Sequence, residues 1–217
     1  GSCSSSTTVA ITNNNTITFT ALSDGTYSDC TIEVTDSASN KSDNLSVTSF
    51  TVDTTAPVLS QVTAVTNPTN DNTSNYTFSS TEAGTIAYSG SCSSDNSSAT
   101  TDNNTVTFNA VADGNYSNCS IKVTDNASNQ SETLLVSAFS VDTVSPAVTS
   151  VTSSNSDGNY FNGDNITITI TFTETVIVDN SSGTLQIRLE TGDGDQYATY
   201  ISGNSTTVLS FNYLVRS

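Results

Sequence analysis

The sequence predicts an all-β chain of tandem sandwich modules, with the first and last modules incomplete. Three observations carry that prediction. Apolar residues alternate with Ser, Thr and Asn over short stretches, the period of half-buried strands. Turn dipeptides such as Ala83-Gly84 and Asp113-Gly114 punctuate those stretches. The chain also repeats itself at an offset of 89 residues, which aligns Cys3 with Cys92, Cys30 with Cys119 and Pro57 with Pro146. Even Gly1-Ser2-Cys3-Ser4-Ser5 returns as Gly90-Ser91-Cys92-Ser93-Ser94. The offset divides the chain into three parts. Residues 1–54 read as the back part of a module and residues 55–144 as a complete one. Residues 145–217 read as the front part of a module of different sequence.

Composition narrows the function classes. Among 217 residues there are 4 Lys and Arg against 21 Asp and Glu, a formal charge of −17. Such a surface repels nucleic acid phosphates and anionic membranes and attracts divalent cations. No apolar run reaches membrane-spanning length. Ser, Thr and Asn make up nearly half the chain, and only 34% is hydrophobic. A core that thin needs help, and the cysteines offer it. The equal 27-residue spacings of Cys3 and Cys30, and of Cys92 and Cys119, predict disulfides within each repeat. A metal site is the alternative for these thiols, but no His and no Cys-x-x-Cys supports it. Paired thiols imply an oxidising compartment, and each bridge should add about 3.5 kcal/mol by chain entropy.

In the complete module, strands are expected over residues 58–65, 76–80, 85–88, 105–111, 119–123 and 134–141. A turn is expected at 67–72 and a short edge strand near Ser98. Ile86, Tyr88, Gly90 and Cys92 would share one face. Tyr116 has the wrong parity to share a face with Cys119, Ile121 and Val123. That predicts a bulge at Ser117-Asn118 or a tyrosine serving as a corner post; Tyr27 and Cys30 repeat the pattern. In the third part, Ile166, Ile168, Ile170 and Phe172 face one side and Thr167, Thr169 and Thr171 the other. Apolar stretches at Leu185-Ile187-Leu189, Tyr197-Tyr200 and Val208–Val215 follow. The threonine row suits an ordinary solvated sheet face better than an ice-binding one. Asp193-Gly194-Asp195 reads as a hairpin turn rather than a metal loop. Sequons at Asn40, Asn44 and Asn96 are expected by chance in so Asn-rich a chain.

Several motifs resemble bacterial Ig-like tandem repeats of large surface adhesins. They are Thr81-Glu82-Ala83-Gly84-Thr85-Ile86, Ala112-Asp113-Gly114-Asn115-Tyr116, Val123-Thr124-Asp125-Asn126-Ala127-Ser128-Asn129 and Val141-Asp142-Thr143-Val144-Ser145-Pro146. Counterparts lie at Leu22–Tyr27, Val34–Asn40 and Val52–Pro57, so the resemblance covers residues 1–147. Residues 149–215 resemble a sister Ig-like type more loosely, through Asp157–Asp164 and Leu189-Glu190-Thr191-Gly192. The resemblance implies calcium at module junctions, held between an acidic loop before the last strand and the linker aspartate. By motif, its ligands would be Asp36, Asn40 and Asp53 in the first repeat, and Asp125, Asn129 and Asp142 in the second. Hard cations take such carboxylate and carbonyl oxygens. The alternative is that Asp36 and Asp125 open Asx-turns while Asp53 and Asp142 bond the linker backbone. Ser39 and Ser128 stand where the family usually has Gly.

Without His or a free Cys, and with its carboxylates in turns, the chain offers no catalytic constellation. The expected role is structural: a rigid extracellular stalk or adhesin segment at the cell surface. Its partners would be neighbouring Ig-like modules or copies of itself, with host or surface glycans as further candidates. A second expectation is a filament subunit whose incomplete ends are completed by strands from neighbours. A carbohydrate-binding module is the weaker third, since Trp is absent.

Overall fold

The computed structural model describes residues 1–191 and 194–216, and none of the described residues is helical. They form two compact units, one up to Thr143 and one from Val144 onward. The first unit opens with four short strands: β1 (Gly25–Tyr27), β2 (Thr31–Ile32), β3 (Leu45–Ser46) and β4 (Phe50–Val52). β1 pairs antiparallel with β4, and β2 with β3.

Nine strands follow in the same unit. They are β5 (Leu59–Thr63), β6 (Asn75–Ser80), β7 (Gly84–Ser89), β8 (Ser98–Ala99), β9 (Asp102–Thr107), β10 (Gly114–Tyr116), β11 (Ser120–Asp125), β12 (Leu134–Leu135) and β13 (Phe139–Val141). They build a three-stranded sheet β5-β6-β9, a four-stranded sheet β12-β11-β7-β8 and the pair β10-β13. The expected edge strand near Ser98 is β8. The core lies between these sheets, with Tyr76, Phe78 and Val106 from one side and Ile86, Ile121 and Val123 from the other. Alternation explains the pattern, because every second residue of β6 and of β11 is buried. The pairing β10-β13 repeats β1-β4, and β11-β12 repeats β2-β3, each 89 residues on.

Both predicted disulfides are present, with Cα–Cα separations of 5.4 Å for Cys3–Cys30 and 5.2 Å for Cys92–Cys119. The parity conflict at Tyr116 is resolved by a change of sheet. Tyr116 ends β10, paired with Phe139, and the chain crosses to the four-stranded sheet before Ser120. The tyrosine is a corner post: its hydroxyl donates to the Ala112 carbonyl at 2.6 Å, and Tyr27 does the same to Ser23 at 2.8 Å.

Three expected strands differ. The strand expected over 105–111 starts at Asp102 and stops at Thr107, because its register with β6 runs from Ser80↔Asp102 to Asn75↔Thr107. The strand expected over 134–141 breaks into β12 and β13, which serve different sheets. Cys92 is not on the strand that carries Ile86 and Tyr88. Gly90 turns the chain at φ +80°, and a Cβ there would meet the Asn118 carbonyl oxygen at 2.0 Å. The turn expected at 67–72 reaches across to β13, where the Asn67 side-chain oxygen accepts from the Ser140 N–H and hydroxyl.

The second unit is one antiparallel sheet in the order β14-β15-β18-β17-β16, from β14 (Val148–Ser153), β15 (Asn165–Val176), β16 (Gln186–Leu189), β17 (Gln196–Ser202) and β18 (Thr206–Leu214). Its register puts Ile168 opposite Phe211 and Ile170 opposite Leu209, so the expected isoleucine face exists. The threonine face is polar, with Thr169 between Thr152 and Ser210. β16 and β17 form the expected hairpin, with Leu189 opposite Gln196, and Arg188 pairs with Asp195. Gly192 and Asp193 lie outside the described residues. No helix among the described residues is long and apolar enough to cross a membrane.

Candidate metal centre

The linker after β4 passes beside the turn between β6 and β7 and beside the loop after β11. Two features of the sequence bring these segments together. In the β7–β11 register Gly84 lies opposite Asp125, so the turn carrying Glu82 sits at the start of the acidic loop. Gly84 allows this closeness, since a Cβ there would meet the Thr124 carbonyl oxygen at 2.2 Å. Asn129 then reaches the linker, its side-chain amide donating to the Asp53 carbonyl at 3.0 Å and to Asp125 Oδ2 at 2.9 Å.

The outcome is a cluster of three carboxylates. Asp53, Glu82 and Asp125 each offer one oxygen, and these oxygens lie within 4.8 Å of one another. Asp125 is buried, and the other two are half-buried. That spacing and oxygen-only chemistry suit a hard divalent cation.

Electrostatics distinguishes the three groups. Burial pushes the Glu82 carboxyl up, and the neighbouring charges of Asp53 and Asp125 push it further. Burial also acts to raise Asp125. The hydrogen bonds it accepts from the Asn129 side chain and from the N–H groups of the loop outweigh that effect and hold it below its ordinary value. Asp125 is therefore the preformed anion of the cluster, and Glu82 is the group that carries its repulsion.

The acidic loop is built the same way in both repeats. Asp36 Oδ1 accepts from the Ala38 and Asn40 N–H groups, both at 2.8 Å, and Asp125 Oδ1 accepts from the Asn129 N–H at 2.8 Å. Ser39 and Ser128 adopt φ +68° and +75°. Serine thus takes the left-handed conformation that glycine would, and the loop shape is retained. Asp53 Oδ1 accepts from the Thr55 N–H at 3.1 Å, a bond within the linker.

The motif-based ligand sets are regrouped by the fold. Asp53 gathers with Asp125 of the following repeat. Asp36 and Asn40 form their loop, but no three-carboxylate group includes them among the described residues. Asp142 follows β13, and its N–H donates to the Thr69 carbonyl at 2.9 Å. It lines an open cleft with Thr66, Asn70, Asp71 and Asn75 that has no aromatic ring in its wall.

Two contributors escape a reading of the sequence. Glu82 lies in a turn motif that looks purely architectural, and only the β7–β11 register delivers it to Asp125. Asp24 belongs to the turn before β1, yet its Oδ1 accepts from the Thr54 N–H at 3.0 Å and the Thr54 hydroxyl at 2.8 Å. Its Oδ2 accepts from the Thr55 hydroxyl at 2.7 Å. Asp113 repeats the clamp on Thr143 at 3.0 and 2.9 Å. The recurrence of Asp-Gly-x-Tyr with a downstream Thr was the available signal. No family model matches this chain, and neither a curated protein nor a solved structure does.

Proposed function

We propose that this chain is a structural, extracellular segment of a stalk or adhesin, built of tandem Ig-like modules whose joint is stiffened by calcium. The single observation that carries the reading is the meeting of Asp53, Glu82 and Asp125 where one repeat hands over to the next. A joint of this kind uses a cation to offset like charges that otherwise push the linker away from the following module. The two disulfides and the Ser/Thr/Asn-rich surface support an oxidising location outside the cell. The cation would act on geometry and on no reaction.

The test compares small-angle scattering of the full chain in calcium and in chelator, alongside calorimetric calcium titration. A bound ion with a more extended, narrower size distribution is expected, and Glu82→Gln should weaken binding about tenfold or more. Identical profiles with no bound metal would sink the proposal.

A further inference from the structure

Asp24 stands beside the three clustered carboxylates without being one of them. Burial and the charges of Asp53 and Asp125 raise the Glu82 carboxyl, and the Asp24 charge adds to them. Yet Asp24 is outside the group whose oxygens lie within 4.8 Å of one another. Its own oxygens are committed to the linker. Oδ1 accepts from the Thr54 N–H and hydroxyl, and Oδ2 accepts from the Thr55 hydroxyl. These bonds, that of the Thr55 hydroxyl foremost, hold the Asp24 carboxyl below its ordinary value, so the clamp is an anion at neutral pH.

Clamp and cluster meet in three consecutive residues. Asp53 is the one clustered carboxylate that the linker contributes, and the clamped Thr54 and Thr55 follow it directly. Thr55 bonds in both directions, with its hydroxyl to Asp24 and its N–H to Asp53 Oδ1 at 3.1 Å. On the other side the Asn129 amide holds the Asp53 carbonyl at 3.0 Å. The linker is thus ordered around Asp53 by protein groups alone, and a ligand set ordered in advance loses less entropy on binding. The second repeat shows the clamp apart from any cluster. Asp113 accepts from the Thr143 N–H and hydroxyl at 3.0 and 2.9 Å, directly after Asp142. No three-carboxylate group among the described residues includes Asp142. The clamp therefore belongs to the way the linker is built and is no by-product of the clustered charges.

We infer that Asp24 is a positioning residue of the joint: through Thr54 and Thr55 it holds the Asp53 carboxylate within reach of Glu82 and Asp125, and it is not itself a ligand. The inference rests on the calcium reading above only for what the placed carboxylate binds. Two substitutions separate placement from charge. Asparagine keeps an oxygen that accepts from Thr54 and an amide that donates to the Thr55 hydroxyl, but it removes the charge. Alanine removes both. A carboxylate acting by its charge, or as a ligand, is lost equally in the two variants, whereas a positioning residue is rescued by asparagine.

The test has two arms on the full chain. The first follows amide hydrogen exchange in chelator, with the amides of β6 and β11 reporting that the fold is intact. The Thr54 and Thr55 amides should be protected in the wild type and in Asp24→Asn, and should lose about tenfold in protection in Asp24→Ala. The Thr55 amide decides, because its acceptor is Asp53 and not Asp24. Unchanged protection there in Asp24→Ala overturns the inference. The second arm is calorimetric calcium titration of the same three chains. Asp24→Ala should weaken binding about tenfold, while Asp24→Asn stays within about threefold of the wild type. Equal losses in the two variants overturn the inference in favour of direct charge or ligation. A wild-type chain that takes up no calcium removes the cation reading, and the exchange arm then decides by itself whether Asp24 places Asp53.

Discussion

Tyr76 shows how much a single side chain can hold in reserve. It is fully buried in the core, and its hydroxyl has no hydrogen-bond partner among the described residues. Burial pushes its ionisation up to about 12. Removing an unsatisfied buried hydroxyl while keeping the ring recovers its desolvation cost. Tyr76→Phe should therefore stabilise the chain by about 1 kcal/mol, read from the urea midpoint at pH 7. The alkaline limb supplies a second readout. The unfolded tyrosine ionises near 10 and the folded one near 12. Stability is thus complete below 10 and is lost as pH rises through that window, and the variant should lack this loss. Ser39 and Ser128 teach a related lesson. Serine at a left-handed position costs about 1 kcal/mol, and the bonds to the Asp36 and Asp125 carboxylates hold the turn at φ +68° and +75° against that cost.

Among the elements, strand pairing decides what periodicity cannot. β6 and β7 were legible from alternation, as was the isoleucine face of β15. The split of 134–141 into β12 and β13 was not, because alternation continues across a change of sheet. The same limit applies at Tyr116, where parity exposed the conflict but not its solution. The disulfides compensate for such short pairings. β10, β12 and β13 have three, two and three residues, too few to close the core firmly alone. Reducing Cys92–Cys119 should lower stability by about 3.5 kcal/mol, the loop-closure entropy of a 27-residue separation. Chemical unfolding with and without reductant, using a Cys92→Ser and Cys119→Ser chain as control, measures it. An unchanged midpoint would show that the sheets suffice without the bridge.

For the whole molecule, the acidic groups at the joint pull stability in opposite directions. Glu82 is raised by burial and by its acidic neighbours, so without metal the cluster costs stability once pH exceeds the folded Glu82 value, and acidification through that value relieves it. Asp125 runs the other way: its lowered value contributes stability at neutral pH that is lost only as pH falls through it. A cation at this joint, as proposed, would bind the deprotonated cluster and displace the Glu82 proton. Calcium affinity should therefore fall as pH drops through the raised Glu82 value, with proton release on binding that Glu82→Gln abolishes. Titrations in two buffers of different ionisation heat report the released proton. Affinity independent of pH would remove Glu82 from the site.

The sequence by itself determined the all-β class, the 89-residue offset, the disulfide partners and the acidic character of the linker. Each is a local or periodic property, readable from spacing along one chain. The tertiary structure alone decided which acidic residues meet. Asp53 lies 72 positions from Asp125 and joins it only because β7 and β11 pair in one register and Asn129 bridges to the linker carbonyl. Register arises from long-range hydrogen bonding and from the fit of Gly84 against Thr124. A shift of one residue would turn each side chain to the other face, and no motif within either segment records that choice.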